Sequence, residues 1–278
     1  MPHIHPARAP RRTLAVFFAG LGLALAATAG ETVRISGTGS GVGGMQLLAD
    51  AYMSTHPGVK VDVLPALGSS GGISALIAGK LDLALSNRLP NSKELAQEAR
   101  LTATEYARTP FVVAVHHNLG ITALSTSALA ALYAAGPASF PNGKRARPVM
   151  RLNDSTDTNL LKSFGPEIAS AVEQASARRG MLNANTDSEA AEMVETVPGA
   201  FTVSTLAQIE SERRPLVALA IDGKVPSTAN LAAGSYPYFK SLYLVAGANT
   251  HAAARQFIAF VGSPAAHKLL STHGHLPR

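Results

Sequence analysis

The feature that most constrains this chain is the order strand, Gly/Ser turn, helix, met twice in succession before a third strand. Residues 32–36 alternate apolar and polar side chains and read as a strand. Gly37-Thr38-Gly39-Ser40-Gly41-Val42-Gly43-Gly44 follows, then a helical pattern over 45–55 that Pro57-Gly58 ends. Residues 59–64 form a second strand, Gly68-Ser69-Ser70-Gly71-Gly72 a second turn and 73–78 a second helix. Residues 81–85 then form a third strand running into Ser86-Asn87-Arg88. Strands joined through helices return to the same end before each new strand, so they pair in parallel.

The same reading extends down the chain. Strands are expected at 111–115, 200–203, 216–221 and 243–246, and helices at 127–134, 160–164, 166–178, 188–194, 251–260 and 264–273. No internal repeat, heptad or low-complexity linker interrupts this order.

The first thirty residues obey different rules. Arg8, Arg11 and Arg12 precede an uncharged apolar run over 14–26, and Ala27-Thr28-Ala29 follows as a small-residue cleavage site. These are the parts of a secretory signal peptide, and the run is shorter than the about 20 residues a spanning helix needs. Removing residues 1–29 takes three Arg and no acid from a formal net charge of +6, leaving +3. The basic balance is therefore no nucleic-acid footprint, although a mild positive field favours an anionic ligand. The chain has no Cys, which excludes a lipoprotein anchor on the mature protein. With 46% hydrophobic residues it can bury a core without disulfides.

Gly39-x-Gly41-x-x-Gly44 fits a dinucleotide fingerprint, but no acid stands near the end of the second strand to hold a ribose, and the Gly-Lys-Ser/Thr of a P-loop is missing. The two Gly/Ser turns share another consequence. Each lies where a helix begins, with unpaired N–H groups and the positive end of the dipole, so two aimed at one point would cage an oxyanion. Taken alone, they read equally well as tight turns with ordinary caps.

A third cluster, Arg151-Leu152-Asn153-Asp154-Ser155-Thr156-Asp157-Thr158, precedes the helical pattern at Leu160. Arg151 offers a forked cationic donor and Ser155 a hydroxyl, while the Ser, Thr and Asp residues also suit a solvated cap. Counted from Asp154, the sixth position is Asn159 and the twelfth Gly165, which excludes an EF-hand loop. His116-His117 and His273-x-His275 lack a third ligand at a recognisable spacing, and no Ser-His-Asp order or paired carboxylates speak for catalysis. No cofactor is expected.

The stretch from Gly68 through Ser86-Asn87-Arg88 closely resembles the periplasmic phosphate-binding proteins. So do Ile221-Asp222-Gly223, Pro226-Ser227, Asn230-Leu231, Gly234-Ser235-Tyr236-Pro237, Leu242-Tyr243-Leu244-Val245, Phe257-Ile258-x-Phe260 and Ser263-Pro264-Ala265. The resemblance implies an α/β, two-lobed type II periplasmic binding fold, each lobe a mainly parallel sheet flanked by helices, with two hinge crossings. The expected division is 1–29 signal peptide, 30–116 first part of lobe 1, 117–215 lobe 2 and 216–278 second part of lobe 1.

The family's anion contacts fall here on Ser40 and Gly41 in the first turn, Ser69 in the second, and Asn87 after the third strand. In the second lobe they fall on Arg151 and, four residues on, Ser155. Two positions depart from the family. Asn87 stands where its phosphate-specific members carry Asp, and Ser155-Thr156-Asp157 replaces Ser-Gly-Thr. A carboxylate in the cage accepts the proton of phosphate and repels sulfate. Either Asp157 has taken over that role from the Asn87 position, or it only caps the helix. The resemblance implies a monomeric, non-enzymatic periplasmic protein that binds a tetrahedral oxyanion, phosphate first, and delivers it to an inner-membrane ABC permease powered by an ATPase. No nucleic acid partner is implied. The rival expectation is a secreted sensor or interaction protein on the same fold. An enzyme would need a base, and only Asp154 or Asp157 is a candidate.

Overall fold

The computed structural model describes residues 1–3, 31–134, 137–153 and 155–278. The expected signal peptide lies almost wholly outside the described residues. In chain order the elements begin with β1 (Glu31–Gly37), α1 (Gly39–Thr55), β2 (Val59–Val63), α2 (Gly68–Ile77), β3 (Leu83–Ser86), α3 (Ser92–Gln97) and β4 (Thr102–His116). They continue with β5 (Ala123–Leu124), α4 (Thr126–Tyr133), β6 (Ala138–Ser139), β7 (Arg145–Arg151), α5 (Thr156–Lys162), α6 (Pro166–Ser176), β8 (Leu182–Ala184), α7 (Asp187–Thr196) and β9 (Ala200–Thr205). Then come α8 (Leu206–Ser211), β10 (Leu216–Ala218), β11 (Ala220–Ile221), α9 (Thr228–Ala232), β12 (Phe239–Ala246), α10 (Ala252–Val261), α11 (Pro264–Ser271) and β13 (Leu276–Pro277).

The sheet runs β2-β1-β3-β12-β4-β9-β7-β6. Each lobe is built on a parallel triplet, β2-β1-β3 in the first and β8-β7-β9 in the second. The long strands β12 and β4 join them antiparallel. Helices cover both faces of each triplet, as parallel strands require. In the first lobe Val33, Ile35, Leu83 and Leu85 pack against Met45, Leu48 and Phe257 on one face, and Ala84 and Val245 against Ile73 and Leu76 on the other.

β4 links the two cores. Its residues from Thr102 to Pro110 pair with β12, and those from Phe111 to Val115 pair with β9. Beyond Pro110 its alternation puts Phe111, Val113 and Val115 in one second-lobe core and Val112 and Ala114 in the other. The chain therefore changes lobe at Pro110–Phe111. The stretch 216–221, assigned above to the first lobe, pairs with β4 and β5 and buries Leu216, Leu219 and Ile221 in second-lobe cores.

The two Gly/Ser turns are not loops. α1 begins at Gly39 and α2 at Gly68, six and five residues earlier than the helical pattern predicts. Glycine disfavours a helix, so propensity hides these starts, but close packing decides. A Cβ on Gly72 would lie 2.7 Å from the Gly37 Cα, and one on Gly44 would lie 2.6 Å from the His275 ring. The glycines let the helix starts lie directly against the strand end and the C-terminal segment.

Candidate functional site

Both helix starts, the end of β7 and the start of α5 converge where the lobes meet. Thr38 and Ser40 bracket the beginning of α1 and are 1% exposed. The Thr38 hydroxyl donates to Asp187 Oδ2 at 3.0 Å, and the Ser40 backbone N–H donates to the same oxygen at 3.3 Å. Asp187 belongs to the second lobe and opens α7. It thus fills the positive end of α1 with a carboxylate oxygen.

Lys240 completes this contact. It projects from β12 on the face that also carries Leu242 and Leu244, and it is buried. Its Nζ donates to Asp187 Oδ1 at 2.8 Å and to Ser40 Oγ at 3.0 Å, and forms a close ion pair with Asp157. Arg151, at the end of β7, donates through Nε to Asp157 Oδ2 at 3.0 Å and through its guanidinium to the Ala184 carbonyl at 2.8 Å. Two carboxylates and two cations therefore meet in one buried cluster between the lobes.

Burial pushes the Asp157 carboxyl pKa up, and the neighbouring Asp187 charge pushes it further, against the pull of Lys240 and Arg151. Burial would also raise Asp187, but Lys240 and Arg151 hold it well below the ordinary carboxylate range. For Lys240, desolvation is outweighed by the two carboxylates, which hold its ammonium above its ordinary pKa. Asp157 is thus the member of the pair that takes a proton more readily.

A second bridge joins the lobes at the start of α2. Ser69 Oγ donates to Asn87 Oδ1 at 2.9 Å and accepts from the Asn87 N–H at 3.1 Å. From the second lobe, Thr156 Oγ1 donates to the same Asn87 oxygen at 3.2 Å.

The expected residues thus fall into two groups. Ser40, Ser69, Asn87, Arg151, Thr156 and Asp157 meet between the lobes. Gly41 and Ser155 serve local structure. The Gly41 N–H goes to the Thr38 carbonyl at 3.1 Å, and Ser155 is the N-cap of α5, accepting from the Thr158 N–H at 3.2 Å. Since Ser155 caps α5, Asp157 is left for the ion cluster. Sequence reasoning missed Thr38, Asp187 and Lys240. Lys240 did leave a signal, a lone charge at period two from the buried Leu242 and Leu244 of its strand.

The cluster is buried between the lobes, and two cavities of about 330 Å³ lie elsewhere on the second lobe, one of them beside Arg145, Arg147 and Arg178. Among the described residues no group of three or more His, Asp or Glu is placed to hold a metal ion. No helix among them is long and apolar enough to cross a membrane.

The profile of the PBP superfamily domain matches residues 24–265. The chain belongs to that family. No curated protein matches it significantly in sequence. Among solved structures, a protein described as a phosphate ABC transporter substrate-binding protein with bound phosphate, from Clostridium perfringens, superposes with a TM-score of 0.72 at 16% identity, covering 89% of this chain and 100% of that one. An ABC-type phosphate transport receptor from Vibrio cholerae gives 0.59 at 20% identity over 89% and 100%. The CcmR regulatory domain of Synechocystis PCC6803 in complex with 2-PG gives 0.53 at 14% identity over 84% and 96%. These likenesses establish the type II periplasmic binding fold and stop there, because the same fold serves transport and regulation.

Proposed function

We propose that this PBP superfamily protein is a non-enzymatic binding protein that takes a small oxyanion, phosphate first, between its lobes and presents it to an ABC importer in the inner membrane. The observation that carries this reading is the Asp187 carboxylate at the start of α1. An oxygen of an anion already sits on the Thr38 hydroxyl, the Ser40 N–H and Lys240. The donors that a bound oxyanion needs are therefore assembled, buried and facing one point. Arg151 and Thr156 lie on the opposite lobe, so an anion at this point would be enclosed by both lobes. Asp157, ion-paired with Arg151 and Lys240 beside this point, is the carboxylate that would accept a proton of the bound anion and distinguish it from sulfate. The solved phosphate-binding relatives of this fold support the choice of phosphate. Export to the periplasm rests on the charged, apolar and small-residue order of residues 1–29.

The test is a thermal-shift panel of phosphate, sulfate, arsenate, molybdate and tungstate on refolded, ligand-free protein. A ligand present at a hundred times its Kd adds about 2.7 kcal/mol of stability, which reads as a shift of several degrees. Phosphate is expected to produce it. A flat response to the whole panel would falsify the oxyanion reading.

One observation favours a second reading. The cluster is electrically balanced as it stands, with Lys240 and Arg151 against Asp157 and Asp187. A chain whose lobes stay locked in this way would act as a secreted sensor or interaction module. A neighbouring sensor-kinase gene, in place of permease and ATPase genes, would favour it.

A further inference from the structure

The contact between Asp187 and the start of α1 is made across the lobe interface and is tight. A Cβ on Gly39 would lie 2.9 Å from both the Asp187 Cβ and the Ser188 Oγ. No anion fits at that point while Asp187 is there. The acid is also well placed in its own helix, because it opens α7 behind the Thr186 cap and meets that helix's positive end. The charged groups facing Asp187 come from every side: Lys240 from β12, Arg151 from β7, Asp157 from α5, and Glu212 just beyond α8. Glu212 shares Arg214 with Glu195, and the cluster itself, Lys240 and Arg151 against Asp157 and Asp187, sums to zero.

We infer that Asp187 is an internal occupant of the anion position, holding the ligand-free protein closed, and that the ligand is a singly charged oxyanion entering in exchange for this carboxylate. The first clause rests on geometry alone, and the second rests on the oxyanion reading above. One carboxylate leaving and one monoanion arriving keep the buried cluster neutral. A dianion in the same exchange leaves a surplus negative charge out of water, which a buried site does not tolerate without a further cation. Phosphate near neutral pH supplies a singly charged form whose hydroxyls can donate to Asp157. Sulfate carries two charges and no proton, so it is refused by the charge count as well as by Asp157. Once displaced, the Asp187 side chain returns to water, and the liganded lobes stand apart by about the width of the anion.

The experiment combines small-angle scattering with calorimetry on the mature chain, using inorganic phosphate, sulfate and formate as probes. Ligand-free wild type is expected to be compact. Asp187→Asn, which puts an amide N–H₂ among donors, is expected to be expanded, and Asp187→Ala to bind phosphate at least tenfold more tightly than wild type. Thr38→Val removes one donor while keeping the acid, and is expected to expand the ligand-free protein too, so the inference survives if the Asp187 variants fail to fold. Variants as compact as wild type, with unchanged phosphate affinity, would overturn the inference. Sulfate binding as tight as phosphate overturns the charge argument. Variants that expand while neither they nor wild type bind any probe leave Asp187 as the latch and defeat the oxyanion reading of the site.

Discussion

The starts of α1 and α2 look alike in sequence, each a Gly/Ser cluster after a parallel strand, yet they end in different states. The α1 start is buried and holds a carboxylate oxygen of Asp187. The α2 start is half-buried and partnered by neutral groups, Ser69 meeting Asn87 and Asn87 meeting Thr156. The nearest charge there, Arg88, bonds Ser70 at 2.8 Å but is matched by Glu94 at 2.7 Å. Both helices offer the same unpaired N–H groups and the same dipole. The difference comes from the opposite lobe, which presents an acid to one and a hydroxyl to the other. A helix start defines what can bind, and the surface across the cleft decides what does.

The largest effect that can break this comparison comes from Lys240. Replacing it with Met leaves Asp157 and Asp187 buried with Arg151 alone, and unmatching a buried charge costs about 3–5 kcal/mol. Lys240→Met is expected to lower the unfolding free energy by that amount at pH 7. The sign of its pH dependence follows. With one cation gone, the carboxylates are raised above their unfolded values, so the folded state binds the extra proton. The loss should then shrink as pH falls toward their unfolded range and grow as pH rises. Denaturant titrations at pH 5 and pH 7 read both effects. A loss below about 1 kcal/mol at pH 7 would mean that the α1 start is no more electrostatic than the α2 start.

Acid gives a second and smaller way to separate the two helices. His275 is buried against α1, where a Gly44 side chain would strike its ring, and has no such contact with α2. Burial lowers its pKa from 6.5 to about 4. A base lowered on folding contributes stability that is fully present above its unfolded pKa and is lost as pH falls from 6.5 toward 4. The full loss is up to about 3 kcal/mol at 1.36 kcal/mol per unit. Stability should fall between pH 6.5 and 5, above the carboxylate range, and His275→Asn should flatten that slope. Hydrogen exchange at pH 5 should show α1 loosening before α2. Equal loosening would show that the histidine is coupled to the whole lobe.

Much of the fold was legible in the sequence because period and punctuation carry it. The parallel order of β1, β2 and β3 and the ends of α1 at Pro57-Gly58 follow from local rules. Of the six candidates that meet between the lobes, the resemblance supplied Ser40, Ser69, Asn87 and Arg151, and Thr156 and Asp157 stand where the chain departs from it. The rest was hidden for identifiable reasons. The helix starts at Gly39 and Gly68 run against propensity, and only the approach of Gly37 and His275 explains them. Asp187 reads as an ordinary first-turn acid, and its contact with Ser40 spans 147 residues. Lys240 was the one missed residue with a local signal, a charge on a strand face that has nowhere to go but inward. The passage of β4 from one core to the other was hidden because the polar stretch over 102–109 and Pro110 precede the apolar run starting at Phe111, so only that run reads as a strand.

The smallest effect concerns the weaker of the two bridges between the lobes. Thr156→Val removes the hydroxyl that reaches Asn87 at 3.2 Å and keeps the shape of the side chain. The Asn87 oxygen retains its bond from Ser69, so no buried acceptor is orphaned. The loss is then one neutral, half-buried hydrogen bond, about 0.5–1.5 kcal/mol. Such a bond cannot hold the lobes together against the balanced ion cluster beside it, so the ligand-free Thr156→Val protein should remain as compact as wild type by small-angle scattering. The expansion expected of Asp187→Asn gives the scale for reading this result. If Thr156→Val expands the protein as much, the neutral bridge at α2 and the charged one at α1 hold the lobes equally, and the contrast between the two helix starts is one of burial alone. If it expands not at all while Asp187→Asn does, closure is carried by the acid that occupies α1, and α2 contributes its donors only to whatever the lobes enclose.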